Sequence, residues 1–232
     1  FGIGKGGNII ALAAELYHSE NVAYLLERIA ERTPYIRPAT FSFGEQKTHN
    51  SSFQDVQVGE LSSPALIDYL RERGINIELA KRECKELRFE NNGKTYFAIG
   101  FPNMAGGYEL RNHYFKGCIA PKDITHIRQQ GEQRAVCYLF EGFMDYLSFL
   151  TIRVDNNPDE PRTNEQDYMV LNSVTNLSKA EQLLRPYSRI GCFLDNDQAG
   201  QRAYENMKKI FGNRLQDMSH HYKEHKDLNE YL

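Results

Sequence analysis

Between residues 134 and 232 the chain alternates near-continuous apolar runs with amphipathic stretches, and this alternation limits the possible folds more than any other feature. "RAVCYLF", "QDYMVLN" and "RIGCFL" read as strands covered on both faces, and "RLQDMSH" as a fourth strand. "FMDYLSFLTI", "SKAEQLL" and "AGQRAYENMKKIFG" lie between them with helical spacing. Ser178 and Glu181 stand at capping-box spacing in the second helix, and Gly212 closes the third. Parallel strands need a crossover long enough to turn the chain round, usually a helix, so an α/β fold with a mainly parallel four-stranded sheet flanked by helices is expected. Reactive groups of such sheets collect at the carboxyl ends of the strands.

At those ends the sequence is acidic. Strand one runs into Glu141, strand three into Asp195 and Asp197, and strand four into "HKDLNEYL" with Lys226, Asp227 and Asn229. Asp145 follows Glu141 by four residues, so it falls in the first turn of the next helix and faces the same edge. Carboxylates gathered this way repel unless some are protonated or a cation sits among them. An oxygen-only set favours a hard ion, Mg²⁺ or Mn²⁺. Taken alone, "DND" reads equally well as a turn with helix-capping aspartates, and "EGFMD" alone says little. A calcium loop fits poorly, because the fifth position is Ala199 and the twelfth is Asn206 where a carboxylate is wanted.

The rest of the chain differs in texture. Residues 8–30 have helical spacing, whereas 33–62 mix Pro, Ser, Thr, Asn and Gly and read as a connection. A helix is expected from Pro64 to just before Gly74, and a short one over 78–84. Two strands follow around the "NNG" turn, then one more in "GGYELRNHYFKGC". Residues 70–134 hold 12 Lys/Arg against 8 Asp/Glu, a surplus of 4 positive charges, while 135–232 hold 11 against 15, a surplus of 4 negative ones. A basic middle feeding an acidic end suits an anionic polymer handled beside metal-assisted chemistry, although ordinary scatter also gives such values. Lys81, Arg82, Arg88, Arg111, Lys116, Lys122 and Arg128 are the candidates for phosphate contacts, with Arg111 and Lys116 first because aromatics flank their strands. A solvated basic face is the plainer reading of any one of them. Cys84, Cys118, Cys137 and Cys192 show no CxxC pairing and read as buried thiols. No run approaches the ~18 apolar residues of a membrane span, so a cytoplasmic protein without membrane contact is expected.

"EGFMD", "FLDNDQAG" and "KDLNE", each closing a successive strand, resemble the Toprim module shared by bacterial DnaG-type primases, topoisomerases and some nucleases. "FAIGFPNMAGGYELRNHYFKG" and "PKDIT" resemble the basic subdomain that precedes Toprim in primase-like proteins of bacterial mobile elements. The resemblance covers roughly residues 64–232. It implies Glu141 as catalytic glutamate and metal-bound carboxylate, Asp195, Asp197 and Asp227 as metal ligands, and Asp145 and Lys226 as supporting catalytic groups. Asn229 departs from the aspartate usual in primases, which leaves fewer charges for a second metal. Gly142 is expected to permit the strand-to-helix turn and Gly200 to let the following helix approach the sheet.

"FGIGKGG" satisfies GxGxxG through Gly2, Gly4 and Gly7, but no strand precedes it, so a dinucleotide fingerprint is not expected. "GKGGNIIALAAEL" resembles the end of the CHC2 zinc-binding domain of primases, which makes residues 1–32 the helical remnant of a domain lying upstream and places zinc there alone. His220, His221 and His225 read as surface residues. The expected order is thus a helical segment (1–32), a linker (33–62), a basic α+β subdomain (63–133) and the Toprim domain (134–232). The expected activity is metal-dependent synthesis of RNA primers from ribonucleoside triphosphates on single-stranded DNA, with a replicative helicase as a further partner. The alternatives are a Toprim nuclease and a non-catalytic nucleic-acid-binding module; topoisomerase activity is disfavoured by the absence of room for a tyrosine-bearing gate.

Overall fold

The computed structural model describes residues 9–19, 21, 24–25, 27–29 and 53–232. The expectations for "FGIGKGG" and for residues 33–52 of the connection lie outside them. The chain divides into two compact units, Phe1–His49 and Asn50–Leu232. In the first, helix α1 (Ile9–Tyr17) places Tyr17 edge-on to Tyr24, with ring centroids 6.4 Å apart, and the Arg28 guanidinium lies 5.1 Å from the Tyr24 ring centre. Among the described residues no helix is long and apolar enough to cross a membrane.

The second unit holds two five-stranded sheets. The first is an antiparallel meander of β1 (Phe53–Gly59), β2 (Lys85–Asn91), β3 (Lys94–Pro102), β4 (Tyr108–Arg111) and β5 (Lys116–Ile119). Helices α2 (Pro64–Glu72) and α3 (Ile77–Glu83) are inserted between β1 and β2. Pro64 opens α2, and Gly74 beyond its end has φ 73°, a left-handed backbone that glycine adopts without strain. The Asn76 side chain caps α3 by accepting from the Glu78 and Leu79 amides.

The second sheet has the order β10-β9-β7-β8-β6, built from β6 (Thr125–Ile127), β7 (Val136–Phe140), β8 (Asp167–Val170), β9 (Arg189–Phe193) and β10 (Leu215–Asp217). Strands β7 to β10 are the four parallel strands expected. Helices α4 (Phe143–Asn156), α5 (Leu177–Leu184) and α6 (Gln198–Phe211) connect them, and the short α7 (Leu228–Tyr231) closes the chain.

Several elements depart from expectation, each for a local reason. Residues 53–59, assigned to the connection, form β1; its side chains are almost all exposed, so no apolar alternation marks it, and a bulge between Gln54 and Gln57 breaks its register. "GGYELRNHYFKGC" makes two strands, because the Asn112 side chain accepts from the Tyr114 and Phe115 amides (2.8 and 3.0 Å) and builds a turn without glycine or proline. Strand β6 adds a fifth, antiparallel strand, so part of the region assigned to the basic subdomain belongs to the second sheet. Ser178 lies inside α5, which Asn176 precedes without a side-chain cap, so the capping box is not formed. Cys118 is half-buried, unlike the other three free thiols.

Helix α4 is the keel of the unit. Every residue from Phe143 to Thr151 is buried, because α2 and α3 cover one side and the second sheet the other. Phe140 and Phe193 stack beneath it with centroids 4.9 Å apart. Leu66, Leu70, Phe101, Phe140, Leu147 and Phe193 share one buried cluster, so the two sheets are joined through a common core. Truncating a fully buried member such as Leu147 to alanine should cost about 2–5 kcal/mol.

Candidate active site

The pairing of β7 with β9 sets Phe140 level with Phe193, and the residues that follow bring Glu141 and Asp195 together. The Asp195 amide donates to a Glu141 carboxylate oxygen at 3.5 Å. The first turn of α4 then carries Asp145 into the same corner, 8 % exposed, where one oxygen accepts from the Asn229 amide at 3.2 Å. Burial pushes the Glu141 carboxyl up to about 7, reinforced by the charges of Asp195 and Asp197. Burial likewise pushes Asp145 to about 7, followed by the charges of Asp227 and Asp195. Asp195 is raised by burial and by Asp227, against the pull of Lys226, whose ammonium lies 3.5 Å away.

One cavity of about 100 Å³ collects most of these groups. Glu141, Gly142, Asp145, Asp195, Lys226 and Asp227 line it from the second sheet, and Arg111 and Lys116 from the first. Arg73, Glu109, Asn172, Ser173 and Asn229 add polar groups to the wall, and Leu110, Phe143 and Met144 complete it. Of these, Arg73, Glu109, Asn172 and Ser173 had no local signal in the sequence; they reach the cavity through long-range packing.

Asp197 is not among the lining residues. Its Oδ1 accepts from the Ala199 and Gly200 amides (2.9 and 3.0 Å), so it caps α6. Asn196 turns away from both aspartates and donates to the carbonyls of Tyr222 (3.0 Å) and His225 (2.9 Å), while its amide donates to the Lys226 carbonyl at 2.7 Å. These bonds hang the "KDLNE" segment on the "DND" loop and set Lys226 and Asp227 beside Asp195. Asp227 in turn caps α7 by accepting from the Glu230 amide at 2.8 Å.

Asn229 is built into a polar knot: its amide nitrogen donates to the Arg73 carbonyl (2.9 Å) and the Ser148 hydroxyl (2.8 Å), and its oxygen accepts from Arg73 Nε. An aspartate there would lose both donors. At Gly200 a Cβ would lie 2.1 Å from the Asp195 carbonyl oxygen, so the close approach is to the "DND" loop rather than to the sheet. Gly142 does not have the role expected: its φ of −126° suits any residue, and what its hydrogen leaves room for is Asp145, whose carboxylate oxygen would stand 3.3 Å from a Cβ.

The remaining basic candidates lie elsewhere. Lys81 and Arg82 border a separate depression with Glu60, Ser62 and Lys85, and pair with Glu78 (3.2 Å) and Glu83 (2.7 Å). Arg88 binds Glu86 at 2.8 Å and lies 5.8 Å from the Phe97 ring centre. Lys122 and Arg128 are exposed. His220 and His221 are exposed as expected, and His225 is half-buried edge-on to Tyr231.

Residues 138–232 match the family model described as Toprim-like. That part of the chain is similar to Toprim-like domains. A second model, of a domain of unknown function (DUF8464), matches residues 55–120, the first sheet with its two helices. No curated protein matches. Among solved structures, the primase fragment of the bacteriophage T7 primase-helicase protein is 14% identical, covering 86% of this chain and 78% of that one with a TM-score of 0.49. The zinc-binding and RNA polymerase domains of the Aquifex aeolicus primase are 12% identical, covering 93% of this chain and 65% of that one with a TM-score of 0.43. Likenesses this distant carry no information about chemistry.

The oxygen-only donors of the Toprim-like domain fit a hard divalent cation. Among the described residues no three His, Cys, Asp or Glu side chains come together as a ready-made metal cage. A hard cation that keeps most of its waters, and takes one or two carboxylates together with substrate phosphates, suits this arrangement better than one needing a closed protein shell.

Proposed function

We propose that the chain is the core of a primase-type nucleotidyltransferase that joins ribonucleotides on a single-stranded DNA template with Mg²⁺ or Mn²⁺. One observation carries this reading: carboxylates at the ends of parallel strands and cations from a neighbouring antiparallel sheet line a single cavity. Phosphoryl-type transfer depends mainly on positioning and on stabilising charge, and the two walls supply complementary charge for both. Glu141, with a carboxyl held near 7, is poised to take the proton of an attacking sugar hydroxyl. Asp195 and Asp227 would hold the cation, which when bound supplies Lewis-acid stabilisation of phosphate oxygens. Arg111 and Lys116 orient the phosphates, and Lys226 fixes the Asp195 carboxylate. The Toprim-like match and the order of the three acidic motifs support the assignment. A replicative helicase is the partner that this reading calls for.

The test is incubation of the chain with labelled single-stranded DNA, ribonucleoside triphosphates and Mn²⁺. New oligoribonucleotides are expected, and Glu141→Gln should abolish them with an unchanged circular dichroism spectrum. Shortening of the DNA without synthesis would replace this reading with a nuclease.

A further inference from the structure

Two buried polar atoms of residues that line the cavity have no hydrogen-bond partner among the described residues: Asn172 Oδ1 and Arg111 Nε. Asn172 lies just past β8, is only 7 % exposed, and has φ 61°, a left-handed backbone that asparagine tolerates better than most residues. Its amide can face only one way. The nitrogen donates to the Asp123 carbonyl (2.9 Å) and to Thr125 Oγ1 (3.1 Å). The Thr125 hydroxyl gives its own hydrogen to the Pro102 carbonyl at 2.7 Å, so toward Asn172 it can only accept. Turning the amide over would set Oδ1 against two acceptors. An acceptor on a residue that lines the cavity is thereby left with no donor among the described residues, an unfavourable state unless a ligand completes it.

The neighbouring chemistry narrows the ligand. Arg111 and Lys116 attract phosphate, and the Arg111 Nε hydrogen still wants an acceptor. What Asn172 wants is a donor. A nucleotide held by its phosphate carries donors of this kind in its sugar hydroxyls. We propose that Asn172 is a specificity-determining residue that accepts a hydrogen bond from a sugar hydroxyl of a nucleotide whose phosphate rests on Arg111. This rests on the nucleotidyltransferase reading and adds to it the group that tells a ribonucleotide from its deoxy analogue.

The experiment compares the affinities of ATP, 2′-deoxy-ATP and 3′-deoxy-ATP for the chain by calorimetry in Mg²⁺. At least one deoxy analogue should bind about tenfold more weakly than ATP. Asn172→Gly, which accommodates φ 61°, should bring the three affinities together. Thr125→Val, which removes a bond to the amide nitrogen but leaves Oδ1 in place, should keep the difference, as a purely bracing role for Asn172 would not. Equal binding of all three nucleotides to the unaltered chain would overturn the inference and leave nucleotide binding standing. Failure of every triphosphate to bind would overturn the nucleotidyltransferase reading itself.

Discussion

The second unit lines one cavity mainly with acids on the side of the parallel sheet and with cations, beside Glu109, on the antiparallel sheet, and the two sides hold their charges in opposite ways. On the parallel sheet the acidic groups are tied down: Asp145 to the Asn229 amide, Asp197 and Asp227 to helix N-termini, Asp195 beside Lys226. On the antiparallel sheet Arg111 keeps an unpartnered Nε, and Lys116 forms no ion pair among the described residues. Lys81, Arg82 and Arg88, in contrast, are paired with glutamates of their own sheet and helices. Repelling groups must be fixed by the fold itself, whereas groups that meet a ligand can be left for the ligand to organise.

The largest effects should come from the fixed side. Glu141→Gln and Asp195→Asn each remove a charge at the reacting edge and should lower primer synthesis by on the order of a hundred- to a thousandfold without unfolding the chain. Synthesis within tenfold of the unaltered protein would move the chemistry off the acidic edge.

Next comes the stability stored against that repulsion. The Asp145 carboxyl is raised to about 7 in the folded state from 3.8, so it favours folding fully below pH 3.8, and that contribution is lost as pH rises through 7. Asp145→Asn keeps the acceptor for the Asn229 amide and removes the buried charge. At pH 8 it should stabilise the protein by about 3 kcal/mol, with little change at pH 3.5. Thermal melts at the two pH values decide it, and a variant less stable than the parent at pH 8 would mean the carboxylate is compensated in the fold.

Gly200→Ala tests how rigid the fixed side is. Its methyl would meet the Asp195 carbonyl at 2.1 Å, so α6 or the loop must shift, at a cost of about 1–3 kcal/mol in denaturant unfolding. A stability equal to the parent's would show that the loop yields easily. The smallest effect belongs to the other wall: Arg111→Gln should reduce the salt dependence of single-stranded DNA binding by about one in log–log slope, whereas Arg88→Gln, already paired with Glu86, should leave the slope nearly unchanged. Equal losses from both would mean that pairing within the protein does not decide which cations meet phosphate.

The same contrast separates what could be read from the sequence and what could not. Parallel strands buried on both faces write continuous apolar runs, so their ends, and with them Glu141, Asp145 and Asp195, were legible, whereas Asp227 lies ten residues past β10 and is brought there by the Asn196 bonds. The exposed edge strand β1 writes no such pattern, and the β4–β5 turn is made by the Asn112 side chain without glycine or proline. Arg73 and Asn229 meet across 156 positions of chain, and Asn172 is distinguished only by a backbone angle and a missing partner. Asp197 was legible as an acid and as a cap, and its side chain forms the cap.

Asn196 reaches only main-chain carbonyls in the segment it holds, those of Tyr222, His225 and Lys226. Every amino acid supplies a carbonyl, so His225 could be exchanged for many residues without loosening that attachment. Position 196 has no such latitude, because its side chain must offer two amide hydrogens at one reach. A saturation scan should therefore find tolerance concentrated on one side of these bonds and intolerance on the other, a lopsided pattern that would mark the latch without any reference to catalysis.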